Sequence, residues 1–335
     1  MQAAIYGLSG SELTEKERDF FRDADPAGYI LFKRNCLYGE QLRRLNEELR
    51  DLSGRPDLPI LIDQEGGRVA RMQPPAWPAF PRAEAFAALY DLAPSSAIEA
   101  TRVNARAIAL TLRQAGINVN CLPLLDIRQP GASDIIGDRA LGASPMQVAA
   151  LGRAVLDGMA SAGVVGVVKH MPGHGRALVD SHKELPVVTA TDDELSIDLE
   201  PFERLRWAPM GMVAHVVYTA WDPDLPASLS PTVIGGIIRD RIGFDNLLMT
   251  DDLGMHALSG DFGVRAERAV AAGCDIALHC SGEMAEMEAI AAAVPALSAE
   301  SEARLARAMA VTLNEEDDLD YADAVAKRDA LLALV

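Results

Sequence analysis

Eight short apolar runs, separated by segments of helical periodicity, predict an α/β chain whose parallel strands close into a single (β/α)8 TIM-type barrel. Two further observations point the same way. The 335 residues suit a one-domain α/β barrel, and polar residues collect just after the apolar runs, where a barrel would gather them at one mouth. An open doubly wound sheet is the alternative, but eight alternations favour closure. No composition break marks a second domain, so 1–335 is read as one domain with extra C-terminal helices from about 283 packed on the barrel.

The candidate strands are AAIYGL from Ala3, GYILF from Gly28, PILID from Pro59, INVNC from Ile117, VVGVV from Val164, GMVAHVV from Gly211, NLLMT from Asn246 and DIALHC from Asp275. Helix ends are marked between them. Thr14 to Glu17 and Thr191 to Glu194 are capping boxes, in which a hydroxyl and a carboxylate satisfy exposed N–H groups reciprocally. Ser144-Pro145 and Ser230-Pro231 pair an N-cap with a proline in the first turn, and Gly116, Gly163 and Gly243 supply C-terminal stops.

A net charge of −18 argues against nucleic acid or an anionic membrane as partner, since both demand a basic face. The N-terminus has neither the basic start nor the long apolar core of a signal peptide, and the longest uncharged apolar run, Trp207 to Ala220, is too short to span a bilayer. The expectation is a soluble, cytoplasmic protein. Cys36, Cys121, Cys274 and Cys280 are scattered, without C-x-x-C spacing, and read as buried free thiols.

The densest chemistry lies between Val164 and Pro186, VVGVVKHMPGHGRALVDSHKELP, which holds three of the six histidines. A polar, glycine-rich loop after an apolar strand is where such folds place function. Other candidates follow other strands: Lys33-Arg34-Asn35, Asp63 to Arg68 with Arg71, Asp138-Arg139, Tyr218, and Asp251-Asp252. Each alone has a plain reading as strand-end polarity; their convergence is what suggests a site. Adjacent aspartates do not easily face one pocket, so one of Asp251 and Asp252 is expected to meet a ligand while the other caps backbone. Asp180 and His182, two residues apart, suit a carboxylate-oriented imidazole for acid/base work, although a plain surface loop would read the same way. Zinc is the rival use of His170, His174, His182 and Asp180, but Pro172-Gly173 keeps the imidazoles off a common helix face, and no metal is expected.

These residues closely resemble glycoside hydrolase family 3, and within it the β-N-acetylglucosaminidases (β-hexosaminidases) of bacterial peptidoglycan recycling. The signatures K-H-F-P-G-H-G with D-S-H, D-Q-E-G-G-R-V, G-D-R and S-D-D-L-S-M stand here as KHMPGHG with DSH, DQEGGRV, GDR and TDDLGM, in the same order. Met171, Thr250 and Gly254 are departures, none of which removes an ionising group. The resemblance implies a retaining exo-glycosidase without metal or organic cofactor. It makes Asp251 the nucleophile, His182 the acid/base and Asp180 its partner, and gives Asp63, Arg71, Arg139, Lys169 and His170 the terminal sugar. The substrate implied is a small carbohydrate, N-acetylglucosamine β-1,4-linked to (anhydro)muramic acid with or without peptide. Phosphorolysis at the same site, assistance by the substrate's own acetamide, and non-catalytic sugar binding are the alternatives.

Overall fold

Parallel strands covered on both faces need continuous apolar sequence rather than alternation, and each expected run supplies a strand buried along most or all of its length. The computed structural model describes residues 1–181, 183–313 and 319–335. Its barrel strands are β1 (Gln2–Gly7), β2 (Pro26–Leu31), β3 (Ile60–Ile62), β4 (Val119–Asn120), β5 (Val165–Met171), β6 (Met210–Val213), β7 (Leu247–Thr250) and β8 (Ala277–His279). They form one sheet in the order β7-β6-β5-β4-β3-β2-β1-β8. β1 and β8 pair in parallel through Ala4 and Ala277, Ile5 and Leu278, and Tyr6 and His279. The ring closes between β7 and β8, where Met249 bridges Ile276 and the Asp275 amide donates to the Leu248 carbonyl at 2.8 Å. The open-sheet alternative is thereby excluded.

Helices α1 (Glu15–Ala24), α2 (Gly39–Ser53), α3 (Ala83–Leu92), α4 (Pro94–Gln114), α5 (Pro145–Ala160) and α6 (Asp192–Arg204) follow the first five strands. Both capping boxes form, at Thr14 with Glu17 and at Thr191 with Glu194. Ser144 caps α5, and Gly116, Gly163 and Gly243 all have positive φ, the conformation that ends a helix cheaply only at glycine. Tyr6 and Tyr29 leave the barrel outward into an aromatic layer with α1: Tyr6 meets Phe20 at 5.5 Å and Tyr29 meets Phe21 at 4.8 Å between ring centroids. Such edge contacts add to the area that these rings bury.

Three local features differ from the sequence reading. β5 continues to Met171, so Lys169 and His170 sit on a strand and not in the loop. The run GMVAHVV divides after β6, and Val217–Tyr218 instead pairs in parallel with Val187–Val188 as a small ribbon beside the barrel. The helix after β6, Thr232–Arg241, is π-wound; Ser230 still caps it, its hydroxyl accepting from the Val233 amide at 3.1 Å.

α7 (Phe262–Ala272) follows β7, and α8 (Met284–Ala293), α9 (Ala299–Met309) and α10 (Tyr321–Leu332) follow β8. α10 lies against α4, where Arg328 donates to Asn104, and the buried Arg106 of α4 donates to the carbonyls of Leu319 and Ser161. All four cysteines are free and buried. Among the described residues no helix is long and apolar enough to cross a membrane.

α9 is fastened through Asp275, which is buried just ahead of β8. Its carboxylate accepts from Arg239 at 2.9 Å, the Leu248 amide at 2.8 Å, Ser301 at 2.7 Å and Arg304 at 3.1 Å. One side chain therefore joins β7, the π-wound helix and α9. Removing it leaves two largely buried guanidinium groups without their shared counter-charge, which typically costs ~3–5 kcal/mol. We expect Asp275→Ala to lose stability on that scale in urea unfolding; a loss below about 1 kcal/mol would show the network to be peripheral.

Candidate active site

Successive side chains of a strand point to opposite faces, and those pointing inward near the C-terminal ends of the strands meet at the barrel mouth. Here Ile30, Asp63, Lys169, Met212, Asp251, Leu278 and Cys280 do so, lining a cavity of about 360 Å³ together with Phe32, Arg71, Ile135, Arg139, His170, His174, Asp180 and Ser181. Of the eight residues expected at a site, Asp63, Arg71, Arg139, Lys169, His170, Asp180 and Asp251 are brought to this cavity. The eighth, His182, lies outside the described residues. Tyr218 does not line it. It is buried behind the loop after β5, its hydroxyl donating to the Gly173 carbonyl at 2.8 Å. Asp138 does not line it either; it pairs at 2.8 Å with Arg68 on the rim.

A charge cluster forms one wall. The Lys169 ammonium, 3% exposed, lies 2.9 Å from Asp63 Oδ1 and 2.8 Å from Glu65 Oε1. Arg71 donates to Asp63 at 3.0 Å, and Arg139 grips Glu65 through both Nε and Nη2 at 2.9 and 2.8 Å. Burial alone would raise both carboxyls, but Lys169 and the two arginines overcome it and hold Asp63 well below the ordinary range and Glu65 down to about 2. Burial opposes the lysine's charge as well; the two carboxylates outweigh it and raise the ammonium above its usual value.

The DQEGGRV turn places this cluster. Gln64 accepts from the Arg71 and Met72 amides and is itself gripped by Asn120, which accepts from its N–H and donates to its carbonyl, both at 3.0 Å. Gly66 has φ 99° and approaches the Pro81 carbonyl so closely that a Cβ would stand 2.3 Å from it, so no other residue fits there.

Asp126, fully buried after β4, organises the KHMPGHG stretch. Its Oδ2 accepts from His170 Nδ1 at 2.7 Å, and its Oδ1 accepts from the backbone amides of His170 at 3.3 Å and His174 at 2.6 Å. The bond fixes the imidazole of His170 with Nδ1 protonated, leaving Nε2 for the cavity. Although burial opposes its charge, His170 and the donated amide hold the Asp126 carboxyl down to about 2. His174 is buried next to His170, and both effects push it down to about 4, so it is neutral near pH 7.

The two adjacent aspartates both line the cavity, and both accept backbone amides. Asp252 Oδ1 accepts from the amides of Gly254 at 2.9 Å and Cys280 at 3.1 Å, while Asp251 Oδ1 accepts from the Asp252 amide at 2.8 Å. Glu65 fell within the candidate stretch Asp63 to Arg68 but was given no role there, and Asp126 was not singled out. For Asp126 the available signal was a carboxylate at the end of INVNCLPLLD, and for Glu65 its place two residues after Asp63 in the turn; neither signal reveals a partner distant in sequence. Among the described residues no group of three or more His, Cys, Asp or Glu side chains is arranged to hold a metal ion.

A barrel with an acid-rich, cation-buttressed pocket at the strand ends suits several chemistries, glycoside cleavage among them, and similarity to known proteins selects that one. Residues 4–313 match the model of the glycosyl hydrolase family 3 N terminal domain. The chain belongs to that family and is a glycoside hydrolase. It is 40% identical over 280 residues to the beta-hexosaminidase of Thioalkalivibrio sulfidiphilus, covering 82% of this chain and 79% of the relative. It is 39% identical over 282 residues to that of Alkalilimnicola ehrlichii, covering 83% and 80%. Among solved structures, native NagZ from Neisseria gonorrhoeae superposes with a TM-score of 0.85 at 32% identity, covering all of this chain and 96% of that one. The same NagZ has been crystallised with N-trifluoroacetyl-D-glucosamine, with the same score and coverage.

The charge cluster has a measurable pH signature. Depressed carboxylates contribute stability that is present above the unfolded range, near pH 4, and lost as pH falls through their folded values. Without the ammonium, Asp63 and Glu65 become harder to ionise in the folded state, so the deficit grows as pH rises. Lys169→Met should therefore lose about 3–5 kcal/mol at neutral pH and less near pH 4. Urea unfolding of both proteins across that interval measures it; a gap independent of pH would separate Lys169 from the carboxylates.

Proposed function

We propose that this chain is a retaining exo-β-N-acetylglucosaminidase that removes non-reducing N-acetylglucosamine from β-1,4-linked N-acetylglucosaminyl-(anhydro)muramic acid fragments, with or without peptide, in cytoplasmic cell-wall recycling. The observation that carries the reading is the convergence of Asp251, Asp180 and the five expected sugar-holding residues on one small cavity. The beta-hexosaminidase relatives and the N-trifluoroacetyl-D-glucosamine complex of the Neisseria protein support the choice of a 2-acetamido sugar. The whole chain would act as one catalytic domain, without metal or organic cofactor.

In the proposed mechanism, Asp63, Arg71, Arg139, Lys169 and His170 hold the sugar hydroxyls. Hydrogen bonds from charged partners are each worth ~1.5–3 kcal/mol in a buried site. Asp251 attacks the anomeric carbon while the Asp180–His182 pair protonates the leaving oxygen; the same pair then activates water to release the glycosyl-enzyme. The histidine departs from the usual pair of carboxyl groups. Phosphorolysis, the main rival, finds less support, because Lys169, Arg71 and Arg139 are already paired with Asp63 and Glu65, which would repel a phosphate. In the presence of phosphate, N-acetylglucosamine and not its 1-phosphate should accumulate.

Asp251→Asn should remain folded and lose nearly all turnover, and a 5-fluoro N-acetylglucosaminyl fluoride should label Asp251 covalently. Mass spectrometry of the digested adduct decides the assignment: label on Asp252 would overturn it, and the absence of any protein adduct would indicate acetamide assistance. A chromogenic N-acetylglucosaminide should be cleaved much faster than the matching glucoside; equal rates would remove the 2-acetamido preference.

A further inference from the structure

The segment between β5 and the Val187–Val188 ribbon is stapled to its surroundings at several points. Tyr218 donates to the Gly173 carbonyl, Asp126 accepts from the His174 amide, Arg176 pairs with the buried Asp198, and the Ser133 amide donates to Ala177 at 3.0 Å. At its far end the Val217 amide donates to the Pro186 carbonyl at 2.9 Å. Between Ala177 and Pro186, beside Asp180, Ser181 is 2% exposed and touches two other parts of the site.

Its hydroxyl lies 3.2 Å from His174 Nε2, and its carbonyl accepts from the Ala257 amide at 3.2 Å. Ala257 belongs to the stretch that leaves β7 through Asp251 and Asp252. His174 is a rigid seat: its backbone is held by Asp126, and its Nδ1 is buried with no partner among the described residues, which leaves Ser181 as the polar contact of the ring there.

We propose that Ser181 is a positioning residue for the reaction, a joint that sets the Asp180 loop in register with the Asp251 segment through its hydroxyl on His174 and its carbonyl on Ala257. This rests on the roles given above to Asp251, Asp180 and His182. A joint of this kind does not bind sugar; it fixes Asp180, the carboxylate partner of the proton donor, relative to the segment that carries Asp251. Misplacing a catalytic group by an ångström slows the step that uses it far more than it weakens binding. Loss of the hydroxyl should therefore be felt where proton transfer matters most.

The test compares kcat/KM for a 4-nitrophenyl N-acetyl-β-glucosaminide, whose leaving group needs little protonation, with that for the β-1,4-linked N-acetylglucosamine disaccharide, whose leaving group needs it fully. Ser181→Ala should lose about 10-fold or more on the disaccharide, a part of the ~10²–10⁴ that general acid catalysis supplies, and less than about 3-fold on the aryl glycoside. Ser181→Cys, with a weaker donor of similar shape, should fall between wild type and Ala and carries the comparison if the alanine variant does not fold. Equal losses on both substrates, or none on either, overturn the joint. His182→Ala separates this from the underlying reading: if it too shows no leaving-group dependence, the acid/base assignment fails, whereas if it alone shows the dependence, only the role of Ser181 fails.

Discussion

A lysine ammonium withdrawn from water between two carboxylates is the contact on which this barrel mouth depends. Lys169 comes from β5, Asp63 from the end of β3, and Glu65 from the turn beyond it, while Arg139 reaches in from the loop after β4 to take the second side of Glu65. Each ion alone would be costly to bury, and none can be removed without stranding the others. The arrangement fixes two strand ends and two loops relative to one another before any ligand arrives. A neutral sugar gains from that rigidity, because directional donors and acceptors that are already oriented need no reorganisation on binding.

Asp126, which follows β4 between β3 and β5, performs the corresponding service for the KHMPGHG stretch. It receives one ring N–H and two backbone amides from the KHMPGHG stretch, so it holds His170 and His174 in fixed orientations although it is not expected to touch substrate itself. Asp252 plays a similar supporting part beside Asp251. Asp252 is occupied by the Gly254 and Cys280 amides and shapes the turn, and both carboxyl groups stand where their strand delivers them.

Most of the fold was legible in the sequence because buried parallel strands leave an unmistakable mark. The eight apolar runs, the two capping boxes and the glycine stops all fall where expected. Less legible were features decided by distant partners. Lys169 and His170 look like loop residues because their polarity ends the apolar run, yet β5 carries them on to Met171, their polar groups being satisfied by Asp126 after β4 and by Asp63 and Glu65 after β3. Tyr218 read as a mouth residue, and it is turned inward to support Gly173 instead. The candidate site was readable as a set of residue types at strand ends, and seven of its eight members reach one cavity. What local spacing could not reveal was the supporting layer of Glu65, Asp126, His174 and Ser181, whose value lies in contacts made from one loop to another.

Ring closure has a consequence for synthesis on the ribosome. β8 joins β1 on one side and β7 on the other, and it contributes Leu278 and Cys280 to the cavity wall. A nascent chain that has emerged only as far as Thr250 already contains Asp63, Lys169 and Asp180, but its sheet has two unpaired edges and its pocket lacks a side. Such edges are templates for pairing with other chains. Ala277–His279 therefore removes both free edges at once, and the chain passes from an open sheet to an edgeless one only when this last strand is in place.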